Sequence, residues 1–303
     1  MPAATTRPQR STIAMDLQPS NDDLLRFSHQ AMATTFEILT HDRRGRYCSQ
    51  AANEAFALLD RLETQLSRFL SNSDVARINA STPGQWVLVE LETIECLLEA
   101  TDAWTLTAGG FDITTCGLMD RIKIDPDGKS VARQSEALRI DLGGIGKGFA
   151  LEQMAKVMSD WRIQDVLLHA GSSTVLAMDG QWPVSISCPL DGRILGTVSL
   201  HSAALSCSSQ TRKPHIIDPA TGRPADRAVC SWVMTTKAGM ADALSTGLLV
   251  AGEDTAQAVC RQLDQTAVFL VVRDGKWCEG IPFGGWADVA MRPCRCHIGY
   301  RRT

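Results

Sequence analysis

Between Ile140 and Gly148 the chain reads Ile-Asp-Leu-Gly-Gly-Ile-Gly-Lys-Gly, just ahead of an amphipathic pattern of helical period. Four glycines, the Asp141 carboxylate and the Lys147 ammonium are thereby gathered in one loop. Glycine lets backbone approach a pyrophosphate closely, the first amides of a helix are unpaired donors with partial positive charge, and Lys147 adds a full charge. The spacing lacks the Gly-Lys-Ser/Thr ending of a Walker loop and does not fit the G-x-G-x-x-G dinucleotide fingerprint. A plain tight turn before a helix would use the same residues, so the loop's role depends on partners elsewhere.

Two further clusters could supply them. In Ala241-Asp242-Ala243-Leu244-Ser245-Thr246, Asp242 and Thr246 stand four apart and share one face of a helix, a carboxylate and a hydroxyl suited to a hard cation. The competing reading is an Asp that caps backbone amides, with Thr packed beside it. In His215-Ile216-Ile217-Asp218-Pro219 with Thr221-Gly222-Arg223-Pro224, Pro219 and Gly222 force a turn after a short apolar strand. A histidine there can act as a general base near neutral pH; equally, Asp218 could simply close the turn and His215 be a surface residue. No histidine pairs with Ser or Cys in a nucleophile arrangement, which disfavours a covalent serine or cysteine hydrolase.

The elements that must position these residues mix helix and strand. Residues 1–24 read as a flexible leader, 25–290 as the functional domain and 291–303 as a C-terminal tail. A strand is expected over Ser28 to Leu39, with Met32-Ala33-Thr34-Thr35 inside it. Ala55, Leu58, Leu59, Leu62, Leu66 and Phe69 then recur at three and four, one stripe of a helix. Val75 to Asn79 looks like a short turn. A second helix spans Leu91 to Leu106, with Ile94, Leu97, Leu98, Thr101, Trp104 and Thr105 on one side, and Asp120 to Ser130 reads as an exposed turn. A helix from Gly146 to Asp160 follows the glycine loop. Strand-like runs come next at 165–169, 184–188, 196–201, 229–236 and 267–273, with helices at 241–251 and 254–263. Early helices and later hairpin-scale strands favour an α+β fold with mixed or antiparallel sheets over a parallel one.

Composition excludes several roles. With 303 residues and 44% hydrophobic content the chain can bury a large core, and a net charge of -4 without basic runs offers no nucleic-acid footprint. No apolar run reaches spanning or signal-peptide length, so no membrane span and a cytoplasmic location are expected. The ten cysteines are scattered without C-x-x-C spacing and read as reduced thiols. Cys294-Arg295-Cys296-His297 is an incomplete metal-ligand set on the tail.

In order along the chain, Met32-Ala33-Thr34, Leu66-Ser67-Arg68-Phe69 with Ser73-Asp74 and Arg77-Ile78-Asn79, and Gly110-Phe111-Asp112-Ile113-Thr114 precede the loop Asp141 to Gly148. Ala170-Gly171, His215 to Gly222 and Ala241 to Thr246 come after it. From about Ser28 to Leu270 this series resembles the ApbE family, the magnesium-dependent FAD:protein FMN transferases. The resemblance implies a bilobal α+β enzyme with FAD, its substrate, between the lobes. It also implies Mg²⁺ held by Asp242, Thr246 and the Gly144 carbonyl. Met32, Phe69, Gly110, Phe111, Asp112, Asp141, Lys147 and Ile216 would line the FAD site. The implied reaction is attack by a threonine or serine hydroxyl of an acceptor flavoprotein on the FMN-side phosphorus, releasing AMP. His215 is the candidate for taking the hydroxyl proton, with Asp218 orienting it. The chain departs from the family in having Met-Ala-Thr for Met-Gly-Thr, Gly171-Ser172-Ser173 where paired glycines are usual, and a short Ser206 to Pro214 segment. An Mg²⁺-dependent FAD pyrophosphatase, with water as acceptor, and a non-catalytic flavin-binding assembly factor are the alternatives.

Overall fold

The computed structural model describes residues 16–17, 24–114, 116–188, 190–211, 214–275, 277–288 and 295–297. After a two-residue strand, β1 (Asp16–Leu17), the segment expected as one strand is a hairpin of β2 (Leu25–Ala31) and β3 (Thr34–Thr40). Met32 and Ala33 form its two-residue turn, both with positive φ, 48° and 58°. That mirror-image turn matches the twist of the flanking strands, but glycine or asparagine usually supplies it. Neither Met nor Ala signals a reversal, which is why the alternation reads as one strand.

α1 (Gly45–Leu66) buries Ala55, Leu59, Leu62 and Leu66, the stripe its spacing predicts. It ends there, so Phe69 is not on the helix; it lies in the following loop and is 82% exposed. Where a short turn was expected, α2 (Asp74–Ala80) is a helix started by Ser73, whose hydroxyl accepts the Ala76 amide at 2.9 Å. Then come β4 (Val87–Leu88), α3 (Leu91–Leu106), β5 (Ile122–Asp125) and β6 (Ser130–Arg133). α3 has the expected bounds but buries Thr93, Ile94, Cys96, Leu97, Ala100 and Ala103, leaving Leu98 and Thr105 exposed. The exposed turn expected over Asp120 to Ser130 is confined to residues 126–129, the tip of the β5–β6 hairpin; β5 itself falls within the expected turn, and Ile122 and Ser130 are buried.

The remaining elements are α4 (Gly146–Asp160), β7 (Val166–Ala170), β8 (Thr174–Ala177), β9 (Trp182–Ser187), β10 (Ile194–Leu200) and β11 (Ala203–Ser209). After them come β12 (Ile217–Asp218), β13 (Arg223–Pro224), β14 (Ala228–Thr235), α5 (Ala238–Ala251), α6 (Glu253–Gln262), β15 (Ala267–Asp274), β16 (Trp277–Gly284) and β17 (Arg295–His297). Nine strands form one sheet in the order β17-β16-β15-β14-β11-β8-β7-β3-β2. Smaller sheets are β1-β9-β10, β4-β6-β5 and β12-β13, and every pairing among the described strands is antiparallel.

Alternation along the strands sends side chains to opposite faces of the large sheet. One face carries Phe36, Ile38, Leu168, Val233 and Leu270 against Leu59, Phe149 and Leu244 of the helices. The other carries Leu39, Leu167, Leu205, Trp232 and Val271 against Val184, Ile186, Val198 and Leu200 of β9 and β10. The α+β architecture with antiparallel sheet is therefore as expected. Within the segment read as a leader, β1 pairs with β9 through Asp16 and Ser185; residues 1–15 and 18–23 lie outside the described residues. Within the tail, β17 pairs with β16, while Cys294 and the side chains of Cys296 and His297 lie outside them. Among the described residues, no helix is long and apolar enough to cross a membrane.

Candidate active site

Three close backbone approaches bring the candidate residues together. Gly148, in the first turn of α4, lies against Ala238 at the start of α5, so near that a Cβ at Gly148 would stand 2.0 Å from the Ala238 carbonyl oxygen. A Cβ at Gly247 would meet Phe111 Cβ at 2.7 Å, and one at Gly110 would meet the Gly247 oxygen at 2.6 Å, so the Gly110-Phe111 loop seats directly on α5. Only glycine permits these contacts. The glycine loop is thus packed against the helix that carries Asp242 and Thr246.

Asp242 is 3% exposed and its carboxylate is bonded on both oxygens. Oδ2 accepts the Gly148 amide at 3.2 Å and faces Lys147 Nζ at 3.5 Å; Oδ1 lies 3.2 Å from both Thr174 Oγ1 and Ser206 Oγ. The carboxylate therefore caps an amide, as one of the two readings of the sequence held, but that amide belongs to α4 and not to its own helix. One turn on, Thr246 Oγ1 is 2.9 Å from Ser208 Oγ, and Gly144 lies beside it, its Cβ position 3.7 Å from that hydroxyl.

Two cavities meet at this point. The larger, about 520 Å³, is lined by Gly110, Phe111, Asp112, Asp141, Gly144, Lys147, His215, Ile216, Asp242 and Thr246, among others. The smaller, about 230 Å³, is bordered by Met32, Phe69, Arg68 and Glu63 and shares Asp141, Gly143 and Lys147 with the first. Their combined size is in the range of sites for cofactor-sized ligands. Twelve of the thirteen residues singled out in the sequence therefore face this double cavity. Asp218 lines neither; its oxygens accept the Ala220 amide at 2.9 Å and the Thr221 hydroxyl at 3.1 Å, closing its own turn. His215 precedes β12 and is exposed at the cavity wall.

Several residues act as scaffold. Asn79 bonds both the amide and the carbonyl of Ile140, at 2.7 and 2.9 Å, which fixes the segment entering the glycine loop. Arg68 pairs with Asp141 at 3.1 Å and stacks over Phe69, and Glu63 accepts the Met32 amide at 2.8 Å. Asp112 accepts the amide and hydroxyl of Thr114; burial pushes its carboxyl above the usual range. Behind α5, the half-buried carboxylates Glu99 and Glu152 share its first turn, Glu152 accepting the Gly239 amide at 2.8 Å. Burial, with Glu152 adding like charge, raises Glu99 to about 7.

Sequence reasoning missed Thr174, Ser206 and Ser208, because β8 has only four residues and β11 runs into Ser-Cys-Ser-Ser instead of an apolar series. The alternation Ser206-Cys207-Ser208 was a signal: it turns both hydroxyls to the α5 face.

A donor set of one buried carboxylate with neutral oxygens, in a cavity open to a phosphate, suits Mg²⁺, which takes few carboxylates and completes its shell with water and substrate. Groups of three or more His, Cys, Asp or Glu that could hold a metal are absent among the described residues. The residues present thus fit the ion that the resemblance implies.

The model of the ApbE family matches residues 32–136 and 116–270. The chain belongs to the ApbE family. A protein of Vibrio cholerae serotype O1 named FAD:protein FMN transferase is 26% identical over 290 residues, covering 81% of this chain and 86% of that protein. A Rhodobacter capsulatus protein of the same name is 33% identical over 161 residues, 49% of this chain and 31% of its own length. Among solved structures, the flavin transferase ApbE from Vibrio cholerae superposes with a TM-score of 0.78 at 23% identity, covering 88% of this chain and 99% of that one. The apo flavinyl transferase ApbE of Pseudomonas stutzeri gives 0.77 at 23%, covering 88% and 96%. These likenesses establish the fold.

Proposed function

We propose that this chain is an Mg²⁺-dependent FAD:protein FMN transferase that attaches FMN through a phosphoester to a threonine or serine of an acceptor flavoprotein, releasing AMP. The observation that carries this reading is the double cavity. Two compartments, joined at Asp141, Gly143 and Lys147, suit a ligand with two ring systems and a pyrophosphate between them, and the oxygens of Asp242 and Thr246 lie in the wall beside that junction. The names of the relatives agree with it.

Asp242, Thr246 and the Gly144 carbonyl would hold Mg²⁺, which when bound neutralises charge on the pyrophosphate oxygens. Lys147 contributes positive charge at the same place, and the exposed Phe69 with Met32 offers an apolar surface to one ring. The acceptor oxygen attacks the FMN-side phosphorus, the bond to the bridging oxygen breaks, and AMP departs with that oxygen. His215, at the open wall of the larger cavity, takes the hydroxyl proton; Asp218 holds the turn that presents it. A location in the cytoplasm fits the eight described cysteines, all unbridged.

The test is incubation with FAD, Mg²⁺ and candidate flavoprotein subunits, with covalent FMN read by in-gel fluorescence and AMP by chromatography. Labelling should occur, should be lost in Asp242→Ala, and should be lost in His215→Ala while FAD still binds. Release of FMN and AMP without labelling would identify the pyrophosphatase instead, and FAD binding without AMP the assembly factor.

A further inference from the structure

Four hydroxyl and carbonyl groups beside Asp242 form a chain whose proton direction can be worked out. Ser245 Oγ is fully buried and lies 2.9 Å from the Asp242 carbonyl, which can only accept; Ser245 therefore donates its single proton there. Ser208 Oγ is 2.8 Å from Ser245 Oγ, which has only lone pairs left to offer, so Ser208 donates to Ser245. Ser208 in turn can only accept from Thr246 Oγ1, 2.9 Å away. The competing route for the Thr246 proton, the Asp242 carbonyl, is longer at 3.4 Å. The order Thr246 to Ser208 to Ser245 to the Asp242 carbonyl removes the Thr246 hydrogen toward the protein and leaves its lone pairs facing the cavity that Thr246 and Ser208 both line.

We infer that Ser208 is a positioning residue that prepares Thr246 as a ligand for a hard divalent cation. Were Ser208 to donate to Thr246 instead, a Thr246 lone pair would be consumed. The inference rests on the reading of Thr246 as a metal ligand. It also accounts for a hydroxyl on β11 with no role in any other contact of the site. Outer partners of metal ligands typically tune affinity about 10- to 100-fold.

The experiment is Mn²⁺ binding to the full chain without FAD, followed by the electron paramagnetic resonance signal of the free ion, with thermal melting in parallel. Ser208→Ala should weaken Mn²⁺ at least about tenfold, whereas Ser208→Thr, which keeps the hydroxyl, should bind it as the unaltered chain does. Ser245→Ala, which removes the acceptor of the Ser208 proton, should weaken it to a smaller degree. Melting temperatures of Ser208→Ala and Ser208→Thr should agree. Thr246→Ala separates the two levels of argument. If Thr246→Ala binds Mn²⁺ normally, the metal reading itself fails. If Thr246→Ala loses Mn²⁺ and Ser208→Ala does not, or if Ser208→Thr fails to restore it, the role given to Ser208 is overturned.

Discussion

Gly148→Ala is the sharpest probe of how the glycine loop meets α5. The added carbon would sit 2.0 Å from the Ala238 oxygen, 2.5 Å from its carbonyl carbon and 2.8 Å from the Gly239 nitrogen, all backbone atoms that no rotamer change can move. Carbon needs roughly 3 Å or more from such an oxygen, so α4 and α5 must part by about 1 Å. That displacement stretches the Gly148 amide to Asp242 Oδ2 bond, already 3.2 Å, beyond hydrogen-bonding range. Overpacking costs about 1–3 kcal/mol and loss of a bond to a charged acceptor about 1.5–3, so roughly 3–5 kcal/mol is expected. With an unfolding entropy of about 2.1 cal/mol/K per residue, a chain of this length loses about 5–8 °C in Tm. Gly146→Ala is the matched control, since its Cβ would have no atom within 4 Å; Tm should hold, while FAD binding weakens because Gly146 borders the smaller cavity. Calorimetry and FAD titration read both. The reasoning is refuted if Gly148→Ala melts within a degree of the unaltered chain, or if the two variants fall equally.

Three other outcomes are expected. Glu99, raised to about 7 by burial and by Glu152, keeps in the folded state a proton that the unfolded chain loses near pH 4.5, so stability falls as pH rises from about 4.5 to 7; Glu99→Gln should flatten Tm over that window and raise it at pH 8. Ala33→Gly should stabilise by about 0.5–1 kcal/mol in denaturant unfolding, because glycine holds φ 58° without strain while giving back some chain entropy. Lys147→Met should weaken FAD at least tenfold yet strengthen Mn²⁺ binding in its absence, since the ammonium now faces Asp242 Oδ2 at 3.5 Å; weaker Mn²⁺ binding would contradict this.

The helices flanking the site were legible in their bounds, which came out as expected for α3 and α4, although the face that α3 buries is not the one its spacing suggested. The cavity-facing residues were legible through motifs rather than periodicity: nothing in composition places Phe111 beside Gly247, more than a hundred residues away. What stayed hidden has two physical sources. The Met32-Ala33 turn adopts a conformation its residues disfavour, so local propensity points the wrong way. The hydroxyls of Thr174, Ser206 and Ser208 gain their roles only from strand pairing, β8 to β11 to β14, which single-sequence pattern does not reveal. Ser73, Asp74 and Asn79, among the residues that carry the family resemblance, serve the frame: Asp74 bonds Arg77, the Glu90 amide and Thr93, and Asn79 bonds Ile140.

The Asp242 carboxylate reaches across 94 residues to cap Gly148 and 68 to meet Thr174. A contact of that span pays its loop-closure entropy before it returns any stability, and sheets ordered by such contacts fold slowly. During synthesis the glycine loop therefore emerges with its anion-attracting amides uncapped, and it acquires its carboxylate only after α5 has been made. Competence to hold a cation should appear late and together with global folding, so that time-resolved Mn²⁺ capture during refolding would report completion of the whole chain and not of any one segment.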